Sequence, residues 1–205
     1  MAGSWTHLAA REVVRPLIGT GVTPNHLTTL RLLTGLGACG AVAVGSPAWT
    51  VWGGVLWLVS AFLDRADGEL ARIGNMQSPG GHRYDYIADV LVNSLLFTAA
   101  GIGVRHGWLG VWAIPLGLIA TLSMLTCWVT GEKYQQLDGA GGKTFPSAWG
   151  FDIDDALYLI APLIWFGLLS FIVLGASVAT TAMAVIALVK LRRLKARMTL
   201  ASGKI

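Results

Sequence analysis

The feature that most constrains the fold of this chain is a long apolar stretch without a single charged residue, at positions 32–63. It exceeds the roughly 20 residues that cross a hydrocarbon core once. A turn-forming sequence, Ser46-Pro47-Ala48, interrupts it near the middle, which indicates two helices rather than one. The composition agrees, since 54% of the 205 residues are hydrophobic and only 13% are charged. The sequence therefore predicts an all-α membrane protein.

Four further apolar runs each have about the length that one crossing needs. They cover residues 86–104, 109–130, 156–174 and 177–190. With the two helices of the first stretch they predict six transmembrane helices in one domain, residues 23–190. Cys39 and Cys127 fall inside predicted spans without metal-ligand spacing, so we interpret them as small buried apolar residues.

The two ends of the chain are more polar than this predicted domain. Residues 1–22 lack the apolar core of a signal peptide, and they place His7, Arg11 and Arg15 opposite apolar side chains. This pattern predicts an amphipathic helix in the membrane interface. The last segment, residues 191–205, is a basic tail that we expect to contact anionic lipid headgroups, and nothing in the sequence indicates nucleic-acid binding.

The distribution of Lys and Arg predicts the orientation of the chain, because short loops rich in these residues stay on the cytoplasmic side. With six spans, Arg105 is the one basic residue outside, while the others lie at or near the cytoplasmic face. All the carboxylates fall on that same side. The predicted protein is thus an integral membrane protein, of the bacterial inner (plasma) membrane, with both termini and its chemistry facing the cytoplasm.

Four aspartates cluster where the second and third spans meet. Asp64 and Asp67 are three residues apart and Asp85 and Asp89 are four apart, so each pair lies on one face of a helix. Like charges this close need protons or cations to offset their repulsion. Hard oxygen ligands favour Mg²⁺ or a similar ion. The pairs therefore predict a metal site.

Small residues beside these aspartates leave room for a ligand. Gly68 and Ala71 remove side-chain bulk next to Asp67, and Arg72 offers a fork of donors suited to a phosphate. Gly81, at the end of the loop that joins the two pairs, could serve the same close approach. A diphosphate fits such a site.

The spacing D-x-x-D-G-x-x-A-R-x8-G-x3-D-x3-D, met at every fixed position from Asp64 to Asp89, resembles the signature of the CDP-alcohol phosphotransferases, also called the CDP-alcohol phosphatidyltransferase family. The six-span plan and the Pro24-Asn25-x-x-Thr28-x-x-Arg31 sequence resemble the same family. The resemblance implies a homodimeric membrane enzyme of phospholipid biosynthesis that transfers a substituted phosphate group to an alcohol and releases CMP.

The resemblance also implies roles for individual residues. Asp64, Asp67, Asp85 and Asp89 would hold two divalent metal ions, Mg²⁺ or Mn²⁺, and Asp89 would also be the general base. The CDP part would be contacted by Asn25, Thr28, Asp67, Gly68, Ala71, Arg72 and Gly81.

The donor and acceptor alcohols are predicted from the setting of the site. A membrane site that faces the cytoplasm suits CDP-diacylglycerol as donor and a small polar acceptor. Side chains available to bind an acceptor are Arg83, Lys133, Lys143, Asp154 and Asp155, although Asp152, Asp154 and Asp155 also suit the capping of the fifth span. Two alternatives stay open: a soluble CDP-alcohol donor with a lipid alcohol as acceptor, and a cation or proton-coupled transporter.

Overall fold

The computed structural model describes residues 5–138 and 157–202, and the regular elements there are all helical. Short 3₁₀ helices lie at Arg15–Leu17, at Gly110–Trp112 and at residues 157–159. The α-helices are α1 (Trp5–Val14), α2 (Pro24–Val44), α3 (Pro47–Ile73), α4 (Pro79–Gly103), α5 (Ala113–Asp138), α6 (Ile160–Trp165) and α7 (Leu169–Ser202). The predicted all-α class is confirmed for the described residues.

Three of the long helices begin in the same way, with a hydroxyl residue followed by proline. Proline suits the first helical position because its missing N–H would be unpaired there anyway. Thr23 and Pro24 begin α2, Ser46 precedes Pro47 in α3, and Ser78 precedes Pro79 in α4. The N-terminal ends of α2 and α4 are fixed in this way, and both contribute residues to the site described below.

Among the described residues, four helical segments are long and apolar enough to cross a membrane: Pro24–Val44, Pro79–Gly103, Gly110–Tyr134 and Leu169–Met198. They are consistent with an integral membrane protein. Helix α3 has 27 residues but is not among them, and its last third carries several charges. Helix α6 has only six residues. The six-span count therefore stays a prediction.

The predicted break between the last two spans, at residues 175–176, is wrong. Helix α7 runs without interruption from Leu169 to Ser202, so Gly175 and the basic segment after residue 190 belong to one helix. The chain turns earlier, at Gly167, whose φ of +72° is a left-handed conformation that favours glycine. A glycine inside an apolar helix costs only about 1 kcal/mol, so Gly175 does not end α7.

Helices α2, α3 and α4 pack around a shared core that holds the site in place. A buried cluster joins them with residue Ala161 of α6: Ala38, Cys39, Trp57, Val92, Leu96, Ala99 and Ala161. At the level of the site, the Ser60 hydroxyl of α3 donates to the backbone carbonyl of Arg31 in α2 at 3.0 Å. Gly35 of α2 lies against Ser60 and Val92, where a Cβ would overlap both side chains. The three helices are thus closely packed beside the aspartates.

Helix α1 packs against α3. Its Thr6, Ala10 and Val14 are buried, and Val14 belongs to a cluster with Ala66 and Leu70 of α3. Leu8 and Val13, on other sides of α1, are more than half exposed. An apolar exposed side is compatible with the predicted interfacial helix, which stays a prediction.

Candidate active site

The four aspartates come together where the C-terminal part of α3 meets the N-terminal parts of α2 and α4. Asp64 and Asp67 lie on α3, while Asp85 and Asp89 lie on α4. Carboxylate oxygens of Asp64, Asp67 and Asp85 all lie within 4.8 Å of one another. Three hard oxygen ligands at this spacing fit a divalent cation such as Mg²⁺ or Mn²⁺. The chemistry of the donor set therefore agrees with a metal site.

Arg31 of α2 is the cation that connects the two aspartate pairs. Its Nη1 lies 3.0 Å from Asp64 Oδ1 and 3.0 Å from Asp85 Oδ1, and its Nη2 pairs with Asp89. The Arg31 side chain is only 3% exposed. An arginine is rarely buried unless it is paired, and here three carboxylates share its guanidinium. Arg31 thereby offsets much of the repulsion within the cluster.

Two further side chains orient individual aspartates. The buried Thr28 hydroxyl donates to Asp67 Oδ2 at 2.7 Å. The Asn93 amide lies 3.5 Å from Asp89 Oδ1, one turn along α4. Such neighbours determine the direction in which a carboxylate presents its remaining lone pairs. Asp89 is not a member of the tight group of three, but it shares Arg31 with Asp64 and Asp85.

A cavity of about 580 Å³ opens beside the aspartates. Among the described residues, its walls come from the N-terminal turns of α2 and α4, the C-terminal part of α3 and the connection between α3 and α4. Pro24, Asn25, Thr28, Asp67, Gly68, Ala71, Arg72, Met76, Gln77, Ser78, Pro79, Gly81, His82 and Asp85 line it. All seven residues predicted to contact the CDP part are in this set. The volume is in the range of small-molecule and cofactor sites.

The glycines of the motif differ in what surrounds them. At Gly68 an added Cβ would meet only the flexible end of Arg72, at 3.5 Å, so packing within the described chain does not demand glycine there. Gly68 is one of the residues that line the cavity. Gly81 is not in a loop as predicted: it belongs to the first turn of α4, where its N–H donates to Ser78 Oγ at 3.0 Å. Because Ser78 caps the helix, α4 begins before Gly81.

Arg72 extends along the cavity wall. Its Nε donates to the carbonyl of Gly68 at 3.1 Å, and its Nη2 lies 2.9 Å from Glu69 Oε1. The side chain is half exposed, so part of the guanidinium fork remains accessible to a ligand. This geometry suits an anion such as a phosphate.

Of the residues predicted to bind an acceptor, the two that the structure describes do not line this cavity. Arg83 on α4 and Lys133 on α5 are exposed and do not line it. Lys143, Asp152, Asp154 and Asp155 lie outside the described residues. The acceptor side of the site thus stays a prediction.

Two features of the site were not predicted from the sequence. Arg31 belongs to the sequence motif that begins at Pro24, but the motif does not predict its ion pairs with three aspartates. Glu69 and His7 are 62 positions apart, and a 2.9 Å contact joins them beside Arg72. A charged residue within an apolar span, such as Arg31 in α2, needs a partner of opposite charge. That is the signal that could have identified its ion pairs with the aspartates.

Comparisons with known proteins agree with this geometry. The profile of the CDP-alcohol phosphatidyltransferase family matches residues 21–190, which is most of the chain. The chain is also similar to the "Bifunctional IPC transferase and DIPP synthase" of Aquifex aeolicus (strain VF5), with 32% identity over 95 residues. That match covers 46% of this chain and 21% of the relative, so the chain spans about a fifth of that protein's length. This chain is therefore an enzyme of the CDP-alcohol phosphatidyltransferase family.

Proposed function

We propose that the enzyme transfers a phosphatidyl group from CDP-diacylglycerol to the hydroxyl of a small polar acceptor and releases CMP. The family uses CDP-alcohol donors and alcohol acceptors, and the finer identity of both is our proposal. The observation that carries it is the juxtaposition of the tight group Asp64, Asp67 and Asp85 with a 580 Å³ cavity at one end of apolar helices. A donor with two acyl chains and a charged diphosphate suits that boundary.

The donor's CDP part would occupy the cavity. Gly68 and Ala71 allow its diphosphate to approach α3, because neither carries a bulky side chain. Arg72 would contact the phosphate that stays with CMP, through the accessible part of its guanidinium. Asn25, Thr28 and Gly81 complete the opposite wall, where α2 and α4 begin.

Asp64, Asp67, Asp85 and Asp89 would hold two divalent cations. When bound, these ions would supply neutralisation of the diphosphate charge and stabilise the leaving phosphate. Thr28 then serves Asp67 by fixing the direction of one carboxylate oxygen with its 2.7 Å hydrogen bond. Arg31 orients the carboxylates of the other three aspartates through its ion pairs.

Asp89 is the residue that we assign as general base. Its carboxylate accepts the proton of the acceptor hydroxyl, and the acceptor oxygen attacks the phosphorus that bears diacylglycerol. A new phosphorus–oxygen bond forms as the bond to the CMP oxygen breaks, and CMP leaves with its charge held by Arg72. Arg31 and Asn93 orient Asp89 for this proton transfer.

The membrane arrangement is part of the proposal. We place six spans in a bacterial inner membrane, with the cavity and both termini on the cytoplasmic side, and the enzyme as a homodimer. Support comes from the concentration of Lys and Arg at that side of the predicted spans. From the name of the Aquifex relative we extend to this chain only the transferase chemistry.

The test is CMP release by the purified enzyme in detergent or lipid, with CDP-diacylglycerol and Mg²⁺. The acceptor panel contains glycerol 3-phosphate, inositol phosphate, inositol, serine and choline, and the control is Asp89→Asn. We expect release that needs one acceptor and disappears in the variant. Release only from a soluble CDP-alcohol with a lipid alcohol would overturn the proposed donor while keeping the chemistry, and no release from any CDP-alcohol would overturn the function.

A further inference from the structure

We propose that helix α1 is part of the active site, because His7 and Glu69 position Arg72 for the diphosphate. The inference rests on the proposed function, since it takes Arg72 as a ligand of the CDP part. His7 and Glu69 are positioning residues in this proposal: they act through Arg72 and do not contact the reacting atoms. The N-terminal helix then belongs to the donor site as well as to the membrane surface.

The first step is the position of Glu69. Its side chain is 11% exposed, and one oxygen, Oε1, lies 2.9 Å from Arg72 Nη2 and 2.9 Å from His7 Nδ1. A carboxylate this buried needs partners that satisfy its charge. Glu69 therefore links the guanidinium on the cavity wall to a side chain on α1.

The second step is the set of contacts that His7 makes. Its Nε2 lies 3.2 Å from Arg65 Nη1, an atom that can only donate, so Nε2 accepts. Its Nδ1 lies 2.9 Å from Glu69 Oε1, an atom that accepts from it. The same Nδ1 also lies 3.4 Å from Arg72 Nη2, so His7 is next to the guanidinium itself as well as to Glu69. His7 thus bridges Arg65 and Glu69 in one defined orientation.

The third step is the anchoring of α1 itself. Ala10 and Val14 are fully or nearly fully buried, and Val14 packs with Ala66 and Leu70 of α3. His7 lies one turn before Ala10, so this packing holds it next to α3, the helix that carries Glu69 and Arg72. The imidazole is consequently fixed by the fold of α1 rather than by its own contacts alone.

The consequence concerns the freedom of Arg72. A half-exposed arginine loses much rotamer entropy when it binds a ligand. Contacts with the carbonyl of Gly68 and with Glu69 remove part of that freedom beforehand, which lowers the entropy loss on binding. Removal of His7 leaves Glu69 with one partner fewer and lets the pair with Arg72 reorient.

The test is a double-mutant cycle read as the dissociation constant of CMP, which every CDP-alcohol shares, in detergent with Mg²⁺. We expect His7→Ala to weaken CMP binding about fivefold in the native background, the effect of one modest hydrogen bond. In the Arg72→Ala background the same change should have no effect, because the residue it positions is gone. Glu12→Gln is the matched control, since Glu12 lies on α1 with a side chain that is 72% exposed.

Two results would overturn this inference alone: a native-background constant unchanged by His7→Ala, or an equal weakening in both backgrounds, which would mean that α1 acts through the fold. Thermal unfolding of each variant shows whether the change weakens the fold itself. A wild-type enzyme that binds no CMP would instead overturn the proposed function, so the two failures are distinguishable.

Discussion

At the scale of single residues, the charge balance of the site depends on Arg31. One guanidinium faces Asp64, Asp85 and Asp89 from a position that is 3% exposed. Removing one member of a buried ion pair costs about 3–5 kcal/mol, because the remaining charge is left without a partner. Here the remaining charges are carboxylates that a divalent cation can also neutralise. The stability of an Arg31 variant should therefore depend on the metal.

We predict that Arg31→Gln lowers the free energy of unfolding by about 3 kcal/mol in EDTA, and by clearly less in saturating Mg²⁺. Thermal unfolding in detergent measures both values. Arg105→Gln is the control, because Arg105 donates to the carbonyls of Ala43 and Ile102 and, within the part of the chain that the structure describes, pairs with no carboxylate cluster. An equal loss with and without Mg²⁺ for Arg31→Gln would contradict the expected metal site.

Gly68 gives a second prediction at the residue scale. Gly68→Ala should keep or raise stability, since alanine is favoured in a helix by about 1 kcal/mol and the Cβ meets no backbone. Gly68 also lines the cavity proposed for the donor, so the KM of Gly68→Ala for the CDP-alcohol should rise about tenfold, as expected for overpacking by 1–3 kcal/mol. Steady-state kinetics and thermal unfolding check the two halves.

Gly80→Ala is the control for this change, because Gly80 lies in α4, has open space around its Cβ position and does not line the cavity. It should leave KM unchanged. A similar KM for the wild type and for Gly68→Ala would show that the donor does not approach α3 at this residue.

At the scale of elements, glycines set the distance between α4 and α5. A Cβ at Gly101 would overlap the carbonyl of Ala113, and a Cβ at Gly117 would overlap the carbonyl of Phe97. Small residues at such crossings let helix backbones approach closely within a membrane. The Thr121 hydroxyl adds a hydrogen bond to the carbonyl of Ser94 at 2.7 Å across the same contact. The contact holds the end of α4 that lies away from the aspartates.

We predict that Gly101→Val destabilises the protein by about 2–3 kcal/mol, because the backbones of α4 and α5 must separate. The donor KM of the folded fraction should be nearly unchanged, since Gly101 lies more than three turns of α4 beyond Asp89. Thermal unfolding is the measurement. Gly131→Val, at a position of α5 with open space, should cost only the helix preference of valine. Equal effects at both glycines would argue against close packing at Gly101.

At the scale of the whole molecule, the predicted topology places the cavity and nearly all the basic residues on the same side of the membrane. The orientation can be checked with single cysteines and a thiol reagent that cannot cross the membrane, after replacement of Cys39 and Cys127. We predict that cysteines at Trp108 and Phe166, both exposed, react in intact cells. Cysteines at Gln77 and Met198 should react only after the membrane is opened.

Labelling of the Phe166 position only from inside, while the Trp108 position still reacts in intact cells, would contradict six spans. Labelling of the Gln77 position in intact cells would reverse the orientation and place the cavity outside. The two outcomes separate the span count from the side on which the chemistry takes place.

Local periodicity determined the parts of this protein that depend on neighbours along the chain. The helical class and the pairing of aspartates on single helix faces follow from spacing and propensity. The family membership follows in the same way, because the motif between Asp64 and Asp89 is a local arrangement of residue types.

The tertiary structure decided what depends on distances between helices. Arg31 meets Asp85 and Asp89 from more than 50 positions away, and His7 meets Glu69 from 62 positions away, so no local pattern contains these contacts. The position of the turn at Gly167, rather than at residues 175–176, is also a result of tertiary structure. Both glycines lie in apolar sequence, so the sequence alone does not distinguish them, and packing between helices determines at which one the chain turns. Spacing along the chain thus indicates which residues share a helix face, whereas packing between helices determines which faces meet.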